Sequence, residues 1–387
     1  MLSLKLAYRN LLGAGLRTWL NAIVLSMVYV IIIWQQGLLD GWKQQALRDM
    51  LNWEIGGGQY WQQNYDPYDP LSLEESHAPV PRALQDSKDA TPILIVQATI
   101  YPQGRMQSCL LKGITPKQEI LHLPSADLQL QTPEIPILLG TRMAESTNLQ
   151  KGDTVTIRWR DAHGVFDAAE GKVVAIMKTN VPAIDQGQLW LPLERLQAMM
   201  QLAGEASIIV MDQETKDHGP QKGFIFRDRE FLSQDFNAIL QVENISGYIL
   251  YTILLSLALL AIFDTQVLAI FRRRREIGTL IALGMPRGAI IRLFTLEGTM
   301  HGILAIFVAA IYGIPLLYIQ ATWGIPMPEI TDSYGLAISD RIFPIYGASL
   351  IFTTIFIVMV IVTIVSFIPA RKISHLSATD AIKGKLP

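Results

Sequence analysis

A chain of 387 residues, half of them hydrophobic and 17% charged, is too apolar for an ordinary soluble protein and too charged to lie in a membrane throughout. Its formal net charge of −2 conceals a split: the basic residues gather beside long apolar runs rather than on a folded face, which excludes a nucleic-acid-binding protein. The single cysteine, Cys109, excludes an intramolecular disulfide, and the six histidines are scattered without metal-ligand spacing.

In residues 1–19, Leu4, Tyr8, Leu11, Leu12 and Leu16 recur at helical spacing while Lys5 and Arg9 share another side. The pattern predicts an amphipathic elbow helix on the cytoplasmic membrane surface, or the charged flank of a spanning helix. Residues 20–39 form the first transmembrane helix. Their apolar run exceeds the roughly 7–15 residues of a signal-peptide core and no small-residue cleavage site follows, so the segment reads as a retained anchor.

Residues 40–246 are polar and make one extracytoplasmic α+β domain. A continuation of the first helix, Asp40 to Leu51, leads into turn chemistry at Gly56-Gly57-Gly58 and Asp66-Pro67-Tyr68-Asp69-Pro70. The triple glycine lacks the Gly-Lys-Ser/Thr that completes a phosphate loop and is read as a turn. Strands are predicted at Ile93 to Ile100, Thr154 to Trp159, Gly171 to Met177 and Ile208 to Met211, with short helices at Gly140 to Leu149 and Leu193 to Leu202. A helix from Asp228 to Asn244 runs into the second span, so that the domain stands on a two-helix stalk.

Three further transmembrane helices are predicted at 247–271, 291–319 and 344–368, separated by a cytoplasmic coupling segment at 272–290 and an extracytoplasmic loop at 320–343, and followed by a cytoplasmic tail at 369–387. Charge orients them. Residues 1–39 hold three basic residues and no acid, 272–292 hold six arginines against Glu276, and 369–387 hold Arg371, Lys372, Lys383 and Lys385 against Asp380. Residues 40–246 instead hold 18 basic and 27 acidic residues, net −9. The positive-inside rule puts both termini and the arginine run Arg272-Arg273-Arg274-Arg275 in the cytoplasm and the large domain outside. The fold class is an α-helical membrane protein with four transmembrane helices plus an α+β extracytoplasmic domain inserted between helices one and two.

The chain contains no Walker A, His-Glu-x-x-His or Gly-x-Ser-x-Gly sequence, and Glu74-Glu75 lies in polar loop sequence. It reads as a non-catalytic subunit with no catalytic or metal-binding residue. Within the spans, Asp264 is expected to find a structural partner, Arg292 or a partner subunit, rather than to relay protons. His301 is expected to pack or hydrogen-bond between helices, with Glu297 one turn earlier as its neighbour on the same face.

Arg273-Arg274-Arg275-Glu276-Ile277-Gly278-Thr279-Leu280-Ile281-Ala282-Leu283-Gly284-Met285-Pro286, followed by Ile290, Phe294 and Glu297-Gly298, resembles the signature of FtsX-like permeases, the membrane subunits of MacB- and LolCDE-type ABC transporters. It departs at Ile281, where many members carry arginine, and at Pro286. Leu6 to Leu12 with Leu16-Arg17-Thr18 resembles the family's N-terminal elbow, Pro369-Ala370-Arg371-Lys372 with Asp380 to Lys383 its tail, and Gly140 to Leu202 its external domain.

The resemblance implies two permeases, identical or homologous, paired around a cavity, with a cytoplasmic ATPase dimer docked on their coupling segments. ATP and Mg are used by that partner ATPase, and no cofactor is bound by this chain. It implies ATPase-coupling roles for Arg272, Arg273, Arg274, Arg275, Glu276, Ile277, Gly278, Leu280, Leu283 and Gly284, on a basic amphipathic helix ending at Gly284. The arginines also anchor the helix end through lipid phosphates. The implied function is extraction of lipoproteins or another amphipathic substrate from the outer leaflet of a bacterial inner membrane. Export of peptides or small amphiphiles with a periplasmic adaptor, and regulation of an extracytoplasmic hydrolase, are the alternatives.

Overall fold

The computed structural model describes residues 15–85, 87–130, 132–179, 181–215, 219–326 and 341–371. The elbow over residues 1–14 and the tail beyond Arg371 lie outside the described residues. The chain divides into two compact units, Met1–Trp42 with Leu240–Ile325 and Ile342–Pro387, and Lys43–Ile239 with Pro326–Arg341.

The first helix, α1 (Leu16–Met50), carries the chain from the first unit into the second, then widens into a π-helical turn at Leu51–Ile55. Gly56 stops it at φ 63°, a left-handed conformation open to glycine, and its N–H donates to the carbonyl of Leu51 at 2.8 Å. The predicted continuation beyond the span is therefore present, and the triple glycine lies in the turn that ends it.

The second unit is built on a nine-stranded sheet. Its strands are β1 (Gln59–Gln62), β2 (Ala90–Ile100), β3 (Gln107–Ile114), β4 (Ile135–Gly140), β5 (Thr154–Arg160), β6 (Phe166–Met177), β7 (Gln188–Pro192), β8 (Ile208–Met211) and β9 (Phe224–Arg227). They lie in the order β9-β1-β8-β2-β3-β7-β4-β6-β5, with β5 also pairing with β2. That last pairing closes β2, β3, β7, β4, β6 and β5 into a ring. One edge of β2 serves two partners, β8 along Ala90–Ile93 and β5 along Ala98–Ile100.

Alternation along β2 builds two cores. Leu94, Val96, Ala98 and Ile100 join one cluster with Leu111, Ile137, Leu139, Ile157 and Leu189. Ile93 and Ile95 join the other with Leu138, Trp190, Ile208 and Val210, against which Met50 and Trp53 also pack. Burial on both faces is why this strand reads as a nearly continuous apolar run.

All four predicted strands are present, but five more were missed: β1, β3, β4, β7 and β9. Three of these have only four or five residues, and β3 carries Lys112 in mid-strand. The expected α+β character is accordingly shifted toward β. The predicted helices shorten to α2 (Thr141–Thr147) and α3 (Leu193–Met200), each closed by a left-handed residue, Asn148 and Gln201. Gly140 ends β4 instead of starting a helix, because a Cβ there would collide with the side chain and backbone of Asp185. The predicted helix from Asp228 breaks at Ser233. Its longer part is α4 (Gln234–Arg272), a 39-residue helix.

In the first unit α4 is followed by α5 (Arg274–Ala282), α6 (Arg287–Trp323) and α7 (Ala348–Arg371). Among the described residues four helices, α1, α4, α6 and α7, are long and apolar enough to cross a membrane. The last was expected from Pro344 but starts at Ala348: the preceding residues lie against α1, where the N–H of Ile345 donates to the carbonyl of Gly37 at 2.9 Å. Gly37 and Gly41, one turn apart, have no room for a Cβ beside the Tyr346 ring and the Phe343 carbonyl, the close approach that small residues permit.

All four helices contribute to one core through Leu25, Tyr29, Ala258, Ile262, Ala305, Val358 and Val362. Polar ties cross between them from Asn21 to Thr265 at 2.8 Å, Ser26 to Tyr312 at 3.2 Å and Thr299 to Thr363 at 3.3 Å.

Candidate functional site

The arginine run straddles a helix break. The second long helix ends at Arg272, Arg273 leaves the helical path at φ −98° and ψ 15°, and α5 begins at Arg274. The expected single helix from the arginines to Gly284 is thus corrected to a nine-residue helix with a break at its head. At its far end Gly284 takes φ 89°, and Pro286 caps α6.

Amphipathicity divides the predicted coupling residues into two sets. Ile277, 1% exposed, packs with Ile270, Ile290, Phe294 and Ala370, and Gly278 is buried beside it. Arg272, Arg275 and Glu276 are exposed, and Leu283 is held out at 79% exposure. The side chains of Arg274 and Leu280 lie outside the described residues.

Arg273 turns inward, unlike the exposed Arg272 and Arg275. Its Nε donates to Glu276 Oε2 at 2.9 Å, and its Nη1 donates to both carboxylate oxygens of Glu297, at 3.2 and 3.3 Å. The guanidinium also lies 5.3 Å from the centroid of the Phe294 ring. Glu297 is 7% exposed, and Arg273 supplies part of the compensation that solvent does not.

The expected partnership of Glu297 with His301 takes another form: His301 Nδ1 meets the backbone carbonyl of Glu297 at 2.9 Å. Asp264 forms no ion pair with Arg292 among the described residues. Both are exposed, Asp264 on the face of α4 that also presents Leu257, Leu260, Leu268 and Phe271. Sequence reasoning missed the buried Gln266 and Ser366, which both lie against Gly298; a Cβ at Gly298 would overlap Ser366 and lie 3.1 Å from Gln266 Nε2. Glycine directly after a charged intramembrane residue was the available signal.

The sheet unit contains a second polar grouping that sequence reasoning missed. Lys112 is 8% exposed, with Nζ 5.1 Å from the centroid of the Trp190 ring, while Glu54 sits on the π-helical turn, its carbonyl accepting from Gln59 Nε2 at 2.8 Å. Burial pushes the Glu54 carboxyl up and the Lys112 ammonium down, and each charge partly offsets the shift of the other.

A cavity of about 560 Å³ opens where β5 meets β2. Its rim is internally paired: Arg160 with Glu74 at 3.1 Å, His77 with Glu205, and Arg158 stacked 4.6 Å from the Phe166 ring centroid. Among the described residues no group of three or more histidine, cysteine or acidic side chains is placed to hold a metal.

Residues 248–378 match the FtsX-like permease C-terminal family, a region that includes most of α4, the arginine run, Glu297 and α7. The chain is 20% identical over 236 residues to the lipoprotein-releasing system transmembrane protein LolC of Neisseria meningitidis serogroup B, covering 55% of this chain and 57% of that one. It is 21% identical over 248 residues to the protein of the same name from Xylella fastidiosa strain Temecula1, covering 57% and 59%. The chain therefore spans less than two thirds of the length of the curated relatives it matches.

Proposed function

We propose, from the match of residues 248–378 to the FtsX-like permease C-terminal family and the similarity to LolC, that this chain is the membrane subunit of an ABC transporter in which a separate subunit hydrolyses ATP. The observation that carries the reading is the two-sided character of α5. Its inner side is seated on the helix core through Ile277, while Arg272, Arg275, Glu276 and Leu283 face outward around a short helix that joins two spans. An apolar side chain as exposed as Leu283, set among charges, suits the groove of a docked protein.

A second permease accounts for Asp264. An uncompensated carboxylate within a span costs at least a few kcal/mol in hydrocarbon, so the outward face of α4 belongs against another polypeptide or a water-filled cavity. The names of the relatives support lipoproteins as the substrate, drawn from the outer leaflet of the bacterial inner membrane, with both termini cytoplasmic and the sheet unit in the periplasm. The helices α1 and α4 then transmit ATP-driven movement outward, and the work is done on a substrate that need not cross the bilayer.

The test is the double variant Glu276→Lys with Leu283→Asp, assayed in complexes purified from native membranes. We expect at least a tenfold loss of ATPase retained by the permease, with the tryptophan fluorescence of the sheet unit unchanged. Retention at the wild-type level removes α5 as the docking element. A complex that holds and fires its ATPase yet releases no lipoprotein from membrane vesicles removes the substrate assignment and leaves the permease reading standing.

A further inference from the structure

We infer that Gln266, Ser366 and the backbone at Gly298 build a buried hydration site, in which one ordered water molecule joins α4, α6 and α7. The site is independent of what the chain transports and of what docks on it.

A polar layer is set between two apolar ones. Ile262 and Val362, one turn from Gln266 and Ser366, belong to the core shared by the four long helices, while Ile270, Phe294 and Ala370, one turn to the other side, belong to the cluster that seats α5. Within this layer Gln266 is 2% exposed and Ser366 0%. Neither Gln266 Oε1 nor Ser366 Oγ has a hydrogen-bond partner among the described residues. Ser366 departs from its neighbours in this. Thr265, Thr295, Thr299 and Thr363 of the same three helices each donate to the carbonyl four residues earlier, at 2.8–2.9 Å, which is how a hydroxyl is ordinarily satisfied in an apolar helix.

The two side chains come from α4 and α7 to one spot on α6. The position a Cβ would take at Gly298 lies 2.2 Å from Ser366 Oγ and 3.1 Å from Gln266 Nε2, so glycine leaves room for both. A buried amide oxygen and a buried hydroxyl without partners are costly, and the chemistry of the pair selects what answers them. Water donates two hydrogen bonds and accepts two, so it serves the amide oxygen as a donor and the hydroxyl in either sense. A hard cation would take about six to eight oxygens, several of them charged, and one amide with one hydroxyl supplies neither the number nor the charge. Bridging through water also keeps the joint adjustable. Its two hydrogen bonds can re-form at a new spacing when the helices shift, which a direct side-chain bond of fixed length does not allow.

The test is proton-detected solid-state NMR of the full chain in lipid bilayers, with glutamine side-chain amides labelled with nitrogen-15 and the Gln266 signal identified by its loss in Gln266→Met. Gln59 is the control: it is 5% exposed, and its amide is bonded at both ends within the protein, Nε2 to the Glu54 carbonyl and Oε1 from Trp61 Nε1. Magnetisation transfer from water to the Gln266 amide is expected to exceed that at Gln59 by about threefold or more. Ser366→Ala is expected to bring it down to the Gln59 level. Wild-type transfer no stronger than at Gln59 overturns the inference, as does transfer unchanged in Ser366→Ala. A contact from the Gln266 amide to the Ser366 β-protons in place of the water transfer reports a direct side-chain bond and overturns it too. Should Ser366→Ala fail to fold, the wild-type comparison with Gln59 decides alone.

Discussion

Lys112→Met is expected to destabilise the sheet unit by about 1–3 kcal/mol, the usual cost of leaving a largely desolvated polar group without its counterpart, whereas Lys112→Met combined with Glu54→Gln is expected to recover the part of that loss due to the Glu54 charge. The asymmetry follows from desolvation. Methionine fills the volume of the lysine stem but removes the positive charge that offsets the raised Glu54 carboxyl. The double variant removes both charges, and with them the cost of burying either. Loss of the ammonium from the Trp190 face adds a smaller term, about 0.5–2 kcal/mol, to both variants.

The pH dependence separates this account from a simple packing defect. Glu54 has its folded-state pKa raised above the ordinary 4.5, so its contribution to stability falls as pH rises from that value through the raised one. Lys112 has its pKa lowered below 10.5, so its contribution rises as pH climbs from the lowered value to 10.5. With Lys112 gone, the Glu54 carboxyl is raised further. The deficit of the single variant should therefore shrink as pH falls toward 4.5, where the carboxyl is protonated and needs no partner. Urea unfolding of the full chain in detergent, followed by tryptophan fluorescence, measures this. A deficit independent of pH would falsify the charge argument.

Asp185→Ala is expected to cost about 3–5 kcal/mol. Asp185, 1% exposed, accepts from Arg142 Nη1 at 3.0 Å and from the Arg142 backbone N–H at 3.3 Å, where it satisfies a donor in the first turn of α2. Arg142 has 13% of its side chain exposed, so it would lose a carboxylate acceptor in a site that water reaches little. Asp185→Asn keeps an acceptor for the helix and loses the charge, and should recover part of the loss. Gly140→Ala provides an independent check, because the new methyl group meets the Asp185 side chain and must displace it. Thermal unfolding of the three variants should rank Asp185→Asn as the mildest; Asp185→Ala at wild-type stability would show that the pair adds nothing.

Much of the membrane region was legible without coordinates. A span needs about 20 apolar residues, and the bilayer imposes that requirement whatever the helix packs against, so each of the four apolar segments falls on one of the long apolar helices α1, α4, α6 and α7. The error at the fourth span, Pro344 against Ala348, has a tertiary cause, since those residues bond to α1. The sheet unit was half legible. Long strands with β-branched alternation declared themselves, but strands of four or five residues depend on their neighbours in the sheet, and β-propensity registers mainly that context.

The charge run showed the same division on a smaller scale. Four arginines directly after an apolar stretch are confined by their hydration to a membrane border, and their identity alone carries that conclusion. Which of them turns inward depended on a carboxylate 24 positions later, brought within 3.2 Å of Arg273 by packing in the first unit. Asp264 was expected to find a partner in Arg292 or in a second subunit; the first is not formed, since the helical phases of Asp264 and Arg292 turn both outward. By itself the sequence determined where the apolar segments lie, how their flanking charges divide and which family motif they carry, because composition and local spacing act over a few turns. The tertiary structure decided the closed sheet ring, the pairing of Arg273 with Glu297 and the burial of Lys112 over the Trp190 ring, because each depends on the distance between residues far apart in the chain.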